Sequence, residues 1–319
     1  MANVPADAGS PAGLPAMHPR DDLPRDVRIY EVGPRDGLQA ERAIIPLDVK
    51  LSFIDRLADA GLRTIEATSF VSPRWVPQLA DADQLFAELK RRPDVRYPVL
   101  VPNVRGLERA LAVSATEFAV FVSATERFAQ ENLGTTREGA LEMAAPVVRR
   151  AIAGGIPVRG YVSMCFGDPW EGRVDPSQPA AVAARLVEFG CSTISLGDTI
   201  GVATPGHVRA VIDAVEAAGI ARPQIALHLH DTYGQALANV LAGLEEGIVE
   251  FDSSAGGVGG CPYARSATGN LATEDLIWLL EGLGMPTGVD LGQLVLTSRW
   301  LAEKLGRPAP SRVVAALSR

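Results

Sequence analysis

Eight short runs of β-branched and apolar residues, each followed by a polar or glycine- and proline-containing loop and then a stretch of helical period, constrain this chain most. The runs are residues 27–32, 64–68, 97–101, 117–122, 158–164, 193–196, 225–230 and 249–253. The segment after the first shows the pattern clearly. Pro46 suits a first helical turn, Leu47, Leu51, Ile54 and Leu57 recur at helical spacing, and Gly61 is placed to stop the helix. Strands alternating with helices of this length imply parallel pairing, and eight units imply closure into a (β/α)₈ TIM barrel. A doubly wound open sheet is the alternative, but no GxGxxG fingerprint follows the first run.

Beyond the eighth run, Thr273 starts a helix, residues 291–305 form one more amphipathic stretch, and a short tail follows. The expected architecture is therefore one TIM-barrel domain over residues 26–319 with extra C-terminal helices. Residues 1–25 are rich in Pro, Ala, Gly and Asp without hydrophobic periodicity and are expected to form a disordered tail. Asp7, Asp21 and Asp22 disfavour a mitochondrial presequence, so a cytoplasmic location is expected.

A net charge of −8 argues against nucleic acid or an anionic membrane surface as the main partner. No apolar run is long enough to span a bilayer. Cys165, Cys191 and Cys261 are the only 3 cysteines and show no CxxC spacing, which points to a reducing compartment.

In a barrel of this kind the chemistry sits at the C-terminal ends of the strands. Those ends carry Arg35 and Asp36 after the first run, Glu66 in the second and Asp198 after the sixth. His228 and His230 lie in the seventh, and a glycine-rich loop with Cys261, then Asn270, follows the eighth. Spacing of two on a strand puts both imidazoles on one face. They could be hydrogen-bonded core histidines or metal ligands, and Asp36 and Asn270 at two other loop ends tilt the balance to metal. Imidazole, carboxylate and amide donors together suit Mg²⁺ or Mn²⁺ better than a closed Zn²⁺ site. Arg35 and Asp36 could be a surface ion pair, or Arg35 could hold an anionic or enolate oxygen. Glu66 and Asp198 could act directly, or pair with Arg35 and orient a histidine.

Lysine is scarce. Lys50, Lys90 and Lys304 all fall in helical stretches and none at a strand end. A Schiff-base aldolase needs a buried reactive lysine, and a carboxyltransferase barrel a carbamylated one, so both are disfavoured. If this barrel makes or breaks a carbon–carbon bond, a metal must polarise the oxygen. Cys261 is a packing thiol by cysteine statistics alone, but its glycine loop can approach a ligand closely and favours a functional role. Cys165 and Cys191 read as packing residues.

The segments Val32-Gly33-Pro34-Arg35-Asp36-Gly37-Leu38-Gln39 and Glu66-Ala67-Thr68-Ser69-Phe70-Val71-Ser72-Pro73 resemble the hydroxymethylglutaryl-CoA lyase family. So do His228-Leu229-His230-Asp231-Thr232-Tyr233-Gly234-Gln235-Ala236, Gly259-Gly260-Cys261-Pro262-Tyr263 and Gly269-Asn270-Leu271-Ala272-Thr273-Glu274-Asp275. The likeness runs from about residue 27 to 290. It implies that Asp36, His228, His230 and Asn270 match divalent-cation ligands and that Arg35 matches the arginine stabilising the acetyl-CoA enolate. It implies further that Cys261 matches a loop cysteine in proton transfer, and that Glu66 and Asp198 match acidic residues of the active site. The implied partner is a CoA thioester, the implied products acetoacetate and acetyl-CoA, and the expected assembly a homo-oligomer, a dimer.

Two loops depart from the family. Asp168-Pro169-Trp170-Glu171-Gly172 stands where Cys-Pro-Tyr-Glu-Gly is common, and Gln130-Glu131-Asn132 replaces Lys-Lys-Asn, with Gly134 in place of an asparagine. The rival substrates are therefore citramalyl-CoA or a longer branched glutaryl-CoA. Acyl-transferring synthases carry His-x-His-Asn and large C-terminal domains, unlike the His-x-His-Asp-Thr found here. The Asp-Pro step itself reads as a turn at the rim of the site.

Overall fold

In the computed structural model, which describes residues 15–260 and 269–318, eight parallel strands curl into a TIM-barrel-like α/β fold. They are β1 (Arg28–Glu31), β2 (Thr68–Ser69), β3 (Val99–Leu100), β4 (Phe118–Ser123), β5 (Val158–Ser163), β6 (Thr193–Asp198), β7 (Ile225–Leu229) and β8 (Glu250–Ser253). Sheet order runs β1-β8-β7-β6-β5-β4-β3-β2, and Glu31 bridges Ile65 just ahead of β2, which brings the two ends of the sheet together.

The second and third strands are shorter than their apolar runs. Pro98 has no N–H to give the ladder, so regular pairing there is confined to Val99 and Leu100 against Thr68 and Ser69. Glu66 is nevertheless held in strand-like pairing, its amide donating to Glu31 O at 2.8 Å.

Helices cover the outside, among them α2 (Ala82–Glu88) and α3 (Val104–Ala112) after β2 and β3, and α6 (Ser177–Phe189), α7 (Pro205–Ala217) and α8 (Ala236–Glu245) after β5, β6 and β7. In α1 (Leu47–Asp59) the periodic positions Ile54 and Leu57 are fully buried while Leu47 and Leu51 are half-buried, and Phe53 joins the core beside them; each fully buried side chain contributes roughly 1.5–3 kcal/mol. Two helices, α4 (Glu126–Leu133) and α5 (Arg137–Ala153), follow β4. After β8 come α9 (Thr273–Gly282), α10 (Leu291–Leu305) and α11 (Arg312–Leu317). The last occupies the segment expected to be a short tail, and its start is capped from far away in sequence. Asp275 accepts from the amides of Arg312 and Val313 at 3.2 and 2.9 Å and from the hydroxyl of Ser311 at 2.6 Å.

Of the segment expected to be a tail, residues 1–14 lie outside the described residues. Further on, His18 donates its amide to Gly282 O at 2.8 Å, and Leu23 is buried.

Two buried carboxylates fasten the root of the glycine loop after β8. Glu31 accepts from Ala255 N at 2.9 Å and from the Thr273 hydroxyl at 2.6 Å. Glu274 accepts from Gly256 N at 2.8 Å and from the Ser298 hydroxyl. Burial pushes Glu31 up to about 7 and Glu274 up to about 8. Both folded-state values lie above the ordinary 4.5. Their contribution to stability is therefore complete below about pH 4.5 and is lost as pH rises through 7 and then 8. Melting temperature should fall between about pH 5 and pH 9, and Glu274→Gln should flatten the upper part of that decline. A pH profile unchanged in the variant would contradict this.

Candidate metal centre and active site

The turn after β1 carries Arg35 and Asp36 to the mouth of the barrel. The amides of Arg35, Asp36 and Gly37 all donate to Val32 O, at 3.2, 2.7 and 3.2 Å. They wind Gly33–Gly37 into one π-helical turn, a local form frequent at functional sites. A Cβ at Gly37 would stand 2.6 Å from Val258 Cγ2, so glycine is needed for this turn to lie against the loop after β8.

Arg35 is a buried ion-pair hub, not a surface pair. Its Nε donates to Glu66 Oε2 at 2.6 Å and its Nη1 to Asp36 Oδ1 at 2.7 Å. Its guanidinium carbon lies 5.4 Å from the centre of the Tyr161 ring. Burial works against the charge, but Glu66 and Asp36 outweigh it and push the guanidinium further up. Tyr161 donates its hydroxyl to Glu66 Oε2 at 3.3 Å. Glu66 Oε1 is buried without a hydrogen-bond partner among the described residues.

Opposite, the strand period sets His228 and His230 side by side, Nε2 to Nε2 at 3.2 Å. Asp36, His228 and His230 each offer a ligand atom, all within 4.8 Å of one another. Asn270 bridges His230 and donates Nδ2 to Asp36 Oδ2 at 2.8 Å. Its Oδ1 is buried and has no partner among the described residues. The loop after β8 approaches this amide closely: a Cβ at Gly259, where φ is +117°, would fall 2.3 Å from Asn270 Nδ2.

Two imidazoles, a carboxylate and an unpartnered amide oxygen make a donor set that fits a divalent cation. The electrostatics agree. Burial opposes the Asp36 charge, but Arg35, His228 and His230 hold its carboxyl down at about 2. Burial, then His228, lowers His230 to about 4. For His228 burial also lowers the pKa, yet a hydrogen bond to Asp252 and the charge of Asp36 reverse the direction.

Arg35, Asp36, Glu66, His228, His230 and Asn270 therefore form one connected group. Asp198 bonds elsewhere. Its oxygens accept from Val202 N at 2.9 Å and Ala203 N at 3.1 Å, fastening the loop after β6, and burial pushes it up to about 6. Cys261 lies outside the described residues. Cys165 and Cys191 are buried and free. Lys50 is buried too, but its Nζ donates to Gln78 O at 2.5 Å and to Asp81 at 2.7 Å. Lys90 and Lys304 are exposed.

Reading only strand ends missed Tyr161 on β5 and Asp252 on β8. Asp252 pairs in register with His228 across the β7–β8 ladder, so strand parity was the available signal.

The departing loop is a turn built on Asp168. Asp168 Oδ2 accepts from the Thr125 hydroxyl at 2.6 Å, and Oδ1 accepts from Trp170 N and Glu171 N at 2.7 and 2.8 Å. Asp168 and Gly172 also pair through their backbones. The carboxylate is occupied by its own turn and by Thr125, rather than by Arg173.

The HMGL-like family model matches residues 26–301. The chain belongs to that family. Hydroxymethylglutaryl-CoA lyase, mitochondrial, of Mus musculus is 49% identical over 294 residues, covering 92% of this chain and 90% of that protein. The crystal structure of hydroxymethylglutaryl-CoA lyase from Pseudomonas aeruginosa superimposes with a TM-score of 0.90 at 48% identity, covering 93% of this chain and 99% of that one. An HMG-CoA lyase from Acinetobacter baumannii, solved in complex with coenzyme A and 3-methylmalate, gives a TM-score of 0.87 at 36% identity, covering 94% and 97%. In this chain the strand-seven histidines and the Asp36 side chain of the turn after β1 lie together.

Proposed function

We propose that this chain is a metal-dependent carbon–carbon lyase that cleaves 3-hydroxy-3-methylglutaryl-CoA into acetoacetate and acetyl-CoA. The reading is carried by one observation: a family likeness over nearly the whole chain coincides with a buried cation-ready cluster beside a fixed arginine. The scaffold is a closed (β/α)₈ barrel over residues 26–319 with extra C-terminal helices, against which residues 15–25 pack through Leu23 and the His18 amide. Asp36, His228, His230 and Asn270 would hold the cation, Mg²⁺ or Mn²⁺. The chain works as a homodimer in the cytoplasm, a reducing compartment that suits its free buried thiols.

A bound divalent cation supplies positive charge that makes the tertiary hydroxyl of the substrate easier to deprotonate. His228 stands at the junction of two uses. Its Nε2 either completes the ligand set or takes the hydroxyl proton, directly or through a water it orients, and both uses need that nitrogen bare. The carbon–carbon bond then breaks to give a ketone and the enolate of the thioester. Arg35, already fixed by Glu66 and Asp36, faces that charge without reorganising. Glu66 and Asp198 shape the acidic wall, Glu66 through Arg35 and Asp198 through its loop. Cys261 gives the proton to the departing carbon.

Incubating the pure protein with Mg²⁺ and separate 3-hydroxyacyl-CoA thioesters, with products identified by mass spectrometry, tests this reading. Acetoacetate and acetyl-CoA should form from the hydroxymethylglutaryl thioester, with citramalyl-CoA a poor substrate. Preferential cleavage of citramalyl-CoA or of a longer branched thioester would overturn the assignment. Cys261→Ala should lower turnover by roughly 10²-fold or more, the ordinary scale of a lost proton donor, while leaving Mn²⁺ affinity unchanged. Cys165→Ala should leave turnover intact, because that buried thiol donates to Val162 O at 3.0 Å. If Cys165→Ala were instead the damaging change, the thiol would be wrongly assigned.

A further inference from the structure

Asp252 gathers donors from three neighbouring strands. Its Oδ2 lies 3.2 Å from His228 Nδ1 on β7 and accepts the Ser195 hydroxyl of β6 at 2.8 Å, while its Oδ1 accepts from Arg159 of β5. Asp252, Ser195 and Arg159 are all at least nine-tenths buried. Arg159 is itself anchored, paired with Glu250 and lying 4.2 Å over the Tyr30 ring and 5.2 Å over the Tyr161 ring. The carboxylate therefore sits in a stiff frame with its oxygens fixed in direction.

That frame dictates the proton on His228. A guanidinium keeps all its protons and has no acceptor, and Ser195 spends its hydroxyl proton on Oδ2. A carboxylate so placed has only acceptors to offer, so Nδ1 of His228 must be the donor. A neutral imidazole has one N–H, which leaves Nε2 bare. That nitrogen faces His230 Nε2 at 3.2 Å and belongs to the group that includes Asp36. His230 has no such support, since its Nδ1 is buried with no partner among the described residues. The two histidines look equivalent in sequence, yet only His228 has its tautomer imposed.

We propose that Asp252 is the positioning residue of His228, its carboxylate, anchored by Arg159 and Ser195, holding the imidazole with the proton on Nδ1 and a bare Nε2 aimed at the cluster. The inference rests on the metal-centre reading for what Nε2 then does. A carboxylate in this position also strengthens the imidazole as a donor, and losing such a partner typically weakens a metal site about 10- to 100-fold. The simpler role, a counter-ion that only neutralises Arg159, predicts none of this.

The test compares wild type with Asp252→Asn by ¹⁵N NMR of the metal-free protein, where no bound ion fixes the tautomer, and by Mn²⁺ titration followed by electron paramagnetic resonance. Wild type should show a protonated Nδ1 and a bare Nε2 at His228. In the variant the proton should redistribute between the two nitrogens, and Mn²⁺ affinity should fall about 10- to 100-fold. A wild-type proton on Nε2 overturns the inference. So does a variant that keeps the wild-type tautomer, whatever its affinity, because a through-space charge effect would then be sufficient. If Asp252→Asn does not fold, the wild-type spectrum decides alone. Wild type that binds no Mn²⁺ would sink the metal reading, while the tautomer would still report on Asp252.

Discussion

Arg35→Met is expected to lower kcat by about 10³-fold with a much smaller change in KM, the scale seen when one preorganised electrostatic donor is removed. The guanidinium is buried and held from two sides, by Glu66 at 2.6 Å and Asp36 at 2.7 Å, so it meets developing charge without being rearranged. Its charge matters most where carbon–carbon cleavage leaves an enolate and little in the bound ground state, which puts the loss in kcat. Arg35→Lys should rescue poorly, because an ammonium cannot reproduce two contacts in fixed directions from one planar fork. The variant should also be less stable, since Glu66 is left buried beside no cation and burial already pushes its carboxyl up. Steady-state kinetics of both variants, with circular dichroism as the control for folding, settle the point. A large rise in KM at unchanged kcat would contradict the role.

His230→Ala is expected to weaken Mn²⁺ binding by about 10²-fold or more and to reduce turnover in step, with the fold retained. Retention follows from the bonding. His230 Nδ1 has no hydrogen-bond partner among the described residues, and Nε2 faces only the cluster, so no structural bond to the barrel is lost. The backbone bridge from His230 to Asn270 survives any side chain. Removing the imidazole leaves a cavity next to Asp36, which costs some stability but less than breaking a buried ion pair. Calorimetric titration with Mn²⁺ alongside a thermal melt separates the two effects. Undiminished Mn²⁺ affinity in the variant would remove His230 from the ligand set.

The barrel was legible because parallel strands buried on both faces leave unmistakable apolar runs, and because the helices between them carry plain stop signals such as Gly61. The bounds of α10 match the amphipathic stretch over residues 291–305, where Asp290 caps the start and Gly306 the end. What escaped was tertiary. Pro98 shortens the third strand, and Asp275 caps a helix 37 residues away, neither of which periodicity reports. At the site, residues at strand ends were visible as types, and six of those named stand in one bonded group. Asp198 reads the same way in sequence but bonds to its own loop. Asp252 and Tyr161 lay hidden because they sit within strands, where a polar residue becomes conspicuous only once its barrel-facing partners are known.

We propose that cleavage depends on a divalent cation held by the Asp36, His228 and His230 cluster. It is tested most directly by stripping the protein with a chelator, dialysing, and following acetyl-CoA release from 3-hydroxy-3-methylglutaryl-CoA as Mg²⁺ or Mn²⁺ is returned. The stripped protein should show no cleavage and should recover fully as the added ion saturates the site. Full turnover in the metal-free protein would contradict that dependence.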